Sequence, residues 1–333
     1  MICDHFPKLE INKMKRIFIA GHNGMVGSHI HEILKKSKKN KLITADKKRL
    51  NLLDQSKVFN FLKKEKPDQV YICAAVVGGI VANSSMPAKF IYENLAISIN
   101  LIHGCLLNNI KKILYLGSSC IYPKLSKIPI KENYLLGGFL EKTNEAYAIS
   151  KIAGLAMCKF YNEQYKNKNI DYRTVMPCNL YGPGDNYDPN LGHVIPSLIY
   201  KFHKAKIENK KKVVLWGDGT PKREFLHARD MAEGCIYLMN LRKGKFYNLK
   251  KNNSEHINLG SGYEVSISNL AKIISKIIGY KGKIVYDTSK PNGTKRKLLD
   301  SSRIAKMGWK PKIKIKQGIE KSYKDFLNKN DKR

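Results

Sequence analysis

Tyr147 and Lys151 stand four residues apart in Tyr147-Ala148-Ile149-Ser150-Lys151, which places both on one face of a helix. Upstream, the apolar run Lys112-Ile113-Leu114-Tyr115-Leu116 leads into Gly117-Ser118-Ser119-Cys120-Ile121-Tyr122-Pro123. A serine hydroxyl, a phenol and a lysine cation are what hydride transfer to a ketone needs. Two of them donate to the carbonyl oxygen where charge develops, and the cation makes the phenol a usable acid. Cys120 adds a thiol that plain reduction does not require. Its reference pKa of about 8.5, lowered by a cationic site, would suit it to take a proton from carbon. The competing reading of Cys120 is an inert packed thiol.

These groups need a cofactor and a frame. Arg16-Ile17-Phe18-Ile19-Ala20 reads as a strand, Gly21-His22-Asn23-Gly24-Met25-Val26-Gly27 as a glycine turn, and Ser28 to Lys36 as a helix with Ile30, Ile33 and Leu34 at helical spacing. Strand, Gly-x-x-Gly-x-x-Gly and helix make a dinucleotide site, the glycines letting the backbone approach a pyrophosphate at the helix N-terminus. A second strand, Lys41 to Ala45, ends at Asp46-Lys47-Lys48-Arg49. The acid favours the free ribose of NAD, and the three cations favour the phosphate of NADP; the balance of charge points to NADP(H).

Further strands are expected over Gln69–Ala75, Lys112–Leu116 and Tyr172–Met176, with helices over Asp54–Lys66, Ala88–Leu107 and Asn144–Tyr165. Strands alternating with crossover helices predict an α/β fold, a Rossmann-type doubly wound parallel sheet with ligands outside the carboxyl ends of its strands. Beyond Gly184 the alternation breaks down, as expected of a smaller C-terminal substrate-binding lobe. Phe225–Leu241 and Ile257–Gly260 look like a return to the sheet.

Composition excludes more than it selects. The chain has 333 residues, 61 Lys and Arg against 27 Asp and Glu, and a net charge of +34. The lysines are dispersed, with no recognition helix or aromatic RNA-binding pair, so no nucleic-acid partner is expected. The charge would steer anionic substrates. Seven cysteines without a Cys-x-x-Cys pair indicate neither a disulfide framework nor a zinc site, and no metal is expected. Cys73, Cys105, Cys158 and Cys235 read as buried small hydrophobes. The most apolar stretch, Val70 to Ala82, is too short and glycine-rich to span a bilayer, and the first 14 residues lack a signal-like apolar core. No membrane association and a cytoplasmic location are expected.

The chain resembles the extended short-chain dehydrogenase/reductases, and among them the GDP-L-fucose synthase family, the 3,5-epimerase/4-reductases of GDP-4-keto-6-deoxy-D-mannose. The resemblance rests on Ile19-Ala20-Gly21-His22, Val77 to Asn83, Gly117 to Pro123, Asn179-Leu180-Tyr181-Gly182-Pro183, His193-Val194-Ile195-Pro196, Trp216-Gly217, Arg223 to His227 and Arg296 to Asp300. It implies Ser118, Cys120, Tyr147, Lys151 and His193 as catalytic residues, with His193 returning the proton that Cys120 removes. His193 can also be read simply as opening a helix. Cofactor contacts are implied for Gly21, His22, Asn23, Gly24, Met25, Val26, Gly27, Lys47, Lys48, Leu116, Gly117, Ser118, Ser119, Tyr147, Lys151, Pro177, Asn179, Leu180 and His193. Substrate contacts are implied for Lys201, Trp216, Arg223, Asn292 and Lys297.

The expected organisation is an N-terminal extension over 1–14 and a dinucleotide-binding domain over 15–183, with 225–262 returning to it. A nucleotide-sugar lobe is expected over 184–224 and 263–333. A GDP-4-keto-6-deoxy-sugar substrate and a homodimer paired through Ala88–Leu107 and Asn144–Tyr165 follow from the resemblance. The sequence departs from the family at Asn23, where relatives often carry Arg for the NADP phosphate, and at Asn292, where Asp is usual. A related reductase of another GDP-4-keto sugar, such as a heptose, with partial or no epimerisation is the alternative. A non-catalytic cofactor-binding regulator or nucleic-acid-associated protein is the remote one.

Overall fold

A computed structural model describes residues 14–189, 192–247, 255–290 and 292–330. The expected extension therefore lies outside the described residues, apart from Met14. In chain order the strands are β1 Lys15–Ala20, β2 Asn40–Ile43, β3 Gln69–Ile72, β4 Lys112–Leu116, β5 Asp171–Pro177, β6 Asn179–Tyr181, β7 Lys212–Trp216, β8 Lys222–His227, β9 His256–Leu259, β10 Glu264–Ser266, β11 Lys283–Asp287 and β12 Arg296–Lys297. The helices are α1 Met25–Lys35, α2 Gln55–Glu65, α3 Ile80–Ser85, α4 Pro87–Leu107, α5 Glu145–Gln164, α6 Val194–Ile207, α7 Ala228–Asn240, α8 Lys243–Tyr247, α9 Ile267–Ile278, α10 Ser302–Lys306 and α11 Ile315–Asn330.

The doubly wound sheet predicted from the alternation is present, in the order β2-β1-β3-β4-β5-β9 and parallel throughout. Side chains alternate between its faces. Ile17, Ile19, Tyr71, Leu114 and Val175 join one core with Ile30 of α1 and Met231 and Leu238 of α7. Phe18, Val70, Ile72, Ile113 and Tyr115 join the other with Leu62 of α2, Leu101 of α4 and Cys158 of α5. Each continuous apolar run in these strands is thus a strand covered on both faces.

Of the two segments expected to return to the sheet, Ile257–Leu259 lies in β9 at its edge. Phe225–His227 does not: β8 pairs with β6, β10 and β12 in a separate small sheet, and only α7 packs back on the main one. That second sheet carries Arg223 and Lys297. A third core, with Phe202 of α6, Leu270 and Ile274 of α9 and Ile319 of α11, underlies the smaller lobe.

Among the described residues one helix, α4, is long and apolar enough to cross a membrane, and more than half of its most apolar stretch is buried inside the molecule. Ile97, Leu101 and Cys105 are core residues beneath the sheet.

Candidate active site

The strand order reverses between β1 and β3, and the glycine turn sits at that point. Gly21 has φ +87°, and a Cβ there would stand 2.7 Å from the Ala74 backbone nitrogen. A Cβ on Gly27 would stand 2.2 Å from the Gly21 carbonyl oxygen. The first requirement is conformational and the second is close packing, so both positions need glycine. Gly24 N donates to Gly21 O at 3.0 Å, closing the turn, and Gly24 caps α1 without a side-chain hydrogen bond. No acidic residue occupies the first turn of α1. Its N–H groups are therefore available to a pyrophosphate. The buried Nδ1 of His22 has no hydrogen-bond partner among the described residues. A dinucleotide fits this cradle, with Gly21–Gly27 as its floor and Met25 and Val26 on the first turn.

At the end of β2, Asp46 accepts Arg49 N at 2.8 Å. Arg49 turns back to Thr44 O at 3.2 Å and to Glu65 at 3.4 Å, with its guanidinium over the Phe61 ring. Of the three cations expected to mark NADP, Arg49 is thus held by its own neighbours. Lys47 and Lys48 are exposed, as is Asn23 on the glycine turn.

The reaction groups converge where β4 ends. Lys151 reaches from α5 beneath the sheet edge, its Nζ donating to Leu116 O at 2.9 Å and lying 5.7 Å from the Tyr147 ring centre. Ser118, in extended backbone, accepts Cys120 N through its Oγ at 3.4 Å. Its side chain also favours the ionised forms of the Cys120 thiol and the Tyr147 phenol, opposing the upward push of burial on both. Gly117 and Ser119 are buried beside them, and Pro177, Asn179 and Leu180 follow at the end of β5. Asn179 Nδ2 donates to Glu224 O at 2.9 Å, joining the main sheet's edge to β8.

Burial shapes the electrostatics. It pulls the Lys151 ammonium down to about 8, against the pull of Cys120 and Cys73. The Cys120 thiol was expected to be lowered by cations, but its net shift is upward. Burial outweighs the opposing effects of Lys297, Ser118 and Lys151. Burial likewise pushes the Tyr147 phenol up, with Cys120 and Tyr115 adding to it and Ser118 opposing. Of the six described cysteines, five are buried and Cys73 is partly so. Burial alone sets the direction at Cys158, and it is the largest cause at Cys73, pushed up to about 12, and at Cys105 and Cys235.

His193 stands apart from this cluster. It is the residue before α6, with no capping bond from its side chain; the helix-opening role and a proton-transfer role are therefore compatible. Its Nδ1 lies 4.0 Å from Asp185, the ring is half exposed, and it is not among the groups acting on Cys120.

Of the substrate-side residues, Arg223 and Lys297 lie on the second sheet, Lys201 is on α6, and Trp216 ends β7, which pairs with β11 in a separate two-stranded sheet. Lys297 faces both Cys120 and Arg223 electrostatically, with burial lowering it most. Arg223 and Lys201 are likewise lowered by burial. Trp216 ends β7 with 62% of its surface exposed, a free indole face beside the site. Asn292 was expected to touch substrate; it is exposed, and its Oδ1 accepts Asp218 N at 2.8 Å, fixing the Trp216–Gly219 turn. Gly293 comes within reach of the Arg223 guanidinium, so the 292–293 turn joins Trp216 to Arg223.

Two supporting groups escaped the sequence reading. Glu224 is fully buried and accepts Gly262 N at 2.7 Å and Leu299 N at 2.9 Å, binding the strand that carries Lys297. Tyr122, two residues after Cys120, meets His256 Nε2 at 2.7 Å and Asn258 Oδ1 at 2.5 Å. Both partners are distant in sequence, so only the adjacency of Glu224 to Arg223 and of Tyr122 to Cys120 could have flagged them.

A parallel sheet with a glycine turn at its switch point and a Ser, Tyr and Lys at the next strand end defines an NAD(P)-dependent enzyme of the short-chain reductase type. The chain belongs to the NAD dependent epimerase/dehydratase family, whose model matches residues 17–250. It is similar to the GDP-L-fucose synthase of Escherichia coli K12, 49% identical over 318 residues covering 96% of this chain and 98% of the relative. Its structure is similar to a GDP-6-OMe-4-keto-L-xylo-heptose reductase from C. jejuni, with TM-score 0.88 and 37% identity over 96% of this chain and 99% of that one. It is also similar to a GDP-L-fucose synthetase from Naegleria fowleri bound to NADP, with TM-score 0.85 and 27% identity over 96% of each chain.

Proposed function

We propose that this enzyme converts GDP-4-keto-6-deoxy-D-mannose to GDP-L-fucose by NADPH-dependent 3,5-epimerisation and C4 reduction. The observation that carries the reading is a thiol, Cys120, set among Ser118, Lys151 and Lys297 beside the reductase phenol. A plain reductase has no use for it.

A C4 ketone acidifies the hydrogens on C3 and C5. Cys120 takes one of these protons as thiolate, and Lys297 and Lys151 offset the cost of that buried charge. The electron pair moves to the C4 oxygen, where Ser118 and Tyr147 donate hydrogen bonds to the enolate. His193, half exposed at the start of α6 and 4.0 Å from Asp185, returns a proton to the opposite face and inverts the centre. NADPH, when bound in the α1 cradle, supplies the hydride that C4 accepts. Tyr147 gives its proton to the C4 oxygen, and Lys151 stabilises the resulting phenolate. Lys201, Arg223 and Lys297 supply cations for the diphosphate, and Trp216 a face for the guanine.

Incubation with GDP-4-keto-6-deoxymannose and NADPH in deuterated water tests this by NMR. Deuterium at both C3 and C5 of an L-fucose product is expected. Cys120→Ser should lose that incorporation while still forming a slow, unepimerised C4 alcohol. Unchanged L-fucose formation by Cys120→Ser would remove the thiol from the mechanism. The similarity to the heptose reductase keeps a second reading: C4 reduction of a related GDP-4-keto sugar such as a heptose with partial or no epimerisation, expected to leave one or both of C3 and C5 undeuterated.

A homodimer goes with this reading. Tyr92 and Ile99 of α4 and Ile149 and Phe160 of α5 are large apolar side chains left exposed on packed neighbouring helices, a self-complementary surface for two-fold pairing. A cytoplasmic location suits a pathway enzyme of nucleotide-sugar synthesis.

A further inference from the structure

We propose that Glu224 is a positioning residue for Lys297: its buried carboxylate sets where β12 lies against β8, and with it where the Lys297 ammonium stands relative to Cys120 and Arg223. The role deepens the functional reading above and rests on it.

β12 is too short to place itself. It has two residues, Arg296 and Lys297, paired with Lys222 and Arg223 of β8. What fixes Lys297 is the chain just beyond it, at Leu298–Asp300. There Leu298 O accepts Ile130 N and Asp300 N donates to Ile130 O, both at 2.8 Å. That parallel bridge uses the groups on one edge of the segment. Leu299 N lies on the opposite edge, and Glu224 Oε2 accepts it at 2.9 Å inside the protein.

Glu224 is itself fully buried, and its Oε1 accepts Gly262 N at 2.7 Å. Gly260 is pressed against the same carboxylate: a Cβ there would stand 2.3 Å from Oε1. The 260–262 turn thus holds the carboxylate while the carboxylate holds Leu299. The same segment leads back to the thiol. Asn258 Nδ2 donates to Asp300 O at 3.3 Å, and Asn258 Oδ1 accepts the hydroxyl of Tyr122, two residues after Cys120. Cys120 and Lys297 are therefore fixed to one buried frame, and Glu224 anchors it on the Lys297 side. Electrostatics agree, since Lys297 is the largest of the influences that lower Cys120.

The two bonds of the carboxylate are not equivalent. Leu299 is 3% exposed, so water cannot replace Oε2 there, whereas Gly262 is exposed. Reach to Leu299 N, rather than charge, is the property that positions Lys297.

Two variants separate these properties. Glu224→Gln keeps one oxygen for Leu299 N and turns its amide toward Gly262, whose N–H water can serve. Glu224→Asp keeps the charge but is one methylene too short. The measurement is kcat/KM for deuterium entry at C3 and C5 of GDP-4-keto-6-deoxymannose in deuterated water, with NADP⁺ affinity as the check on folding. Glu224→Asp should lose about tenfold, and Glu224→Gln should stay within about threefold of wild type. Lys297→Met should lose on the order of 10- to 100-fold. Adding Glu224→Asp to Lys297→Met should then cost no more than about a further twofold, because nothing is left to position. A residue that only supports the fold gives losses that multiply. Multiplying losses, an equal loss in Glu224→Gln, or no loss in Glu224→Asp would overturn the proposal. Should Glu224→Asp fail to bind NADP⁺, Glu224→Met takes its place beside Lys297→Met, with the same outcomes expected. No deuterium entry with wild type would refute the functional reading itself, and this role with it.

Discussion

Replacing Lys151 by Met separates what this residue does for the reaction from what it costs the fold. Lys151 is 3% exposed, and burial lowers its pKa from the ordinary 10.5 to about 8. The folded-state value lies below the unfolded one, so below pH 8 both states carry the proton and the fold bears the whole penalty. Between pH 8 and 10.5 the folded protein releases its proton first, and stability rises with pH. Above 10.5 the penalty is gone. At about 1.4 kcal/mol per pH unit the penalty is about 3 kcal/mol. Lys151→Met also deletes the bond from Nζ to Leu116 O, worth about 1 kcal/mol. At pH 7 the variant should therefore be more stable than wild type by about 2 kcal/mol, and near pH 10.5 less stable by about 1 kcal/mol. Titrating groups that do not interact with Lys151 cancel in the difference; Cys120 and Cys73, which it pulls down, do not. Urea denaturation of both proteins at the two pH values measures it, with NADPH oxidation recorded in parallel and expected to fall on the order of 10²–10⁴-fold. A stability gap that does not change with pH would show that the Lys151 charge is not desolvated, and the reasoning would fail.

Tyr122→Phe should cost about 2 kcal/mol in urea denaturation, because it strands His256 Nε2 and Asn258 Oδ1 in the core, both now bonded to the phenol. A change below about 0.5 kcal/mol would mean that the network is not formed. Lys47→Ala with Lys48→Ala should raise the KM for NADPH more than that for NADH, since both are exposed at the end of β2 while Arg49 is held by Glu65. An equal change in both constants would show that they sense no 2′-phosphate. Tyr92→Glu with Phe160→Glu should convert the protein to a monomer in light scattering, since charge on both apolar helix faces opposes their burial. A mass unchanged from wild type would place any interface elsewhere.

Local pattern was enough for the frame of this protein. The glycine turn at Gly21–Gly27, the continuous apolar strands and the four-residue step from Tyr147 to Lys151 each express a constraint spanning a few residues, and they foretold the parallel sheet and the residues at its strand ends. Charge was legible only as an inventory. That Arg49 folds onto Glu65, that Asn292 spends its oxygen on Asp218, and that Cys120 rises on burial depend on neighbours brought from far along the chain. The same holds for Lys297, which β12 delivers to Cys120 through pairing with β8, and for the placing of β8 outside the main sheet. A side chain's type is written in the sequence, but its solvation and partners are set by which surfaces the folded chain presses together. Those decide how a thiol, a phenol and an ammonium share one proton inventory.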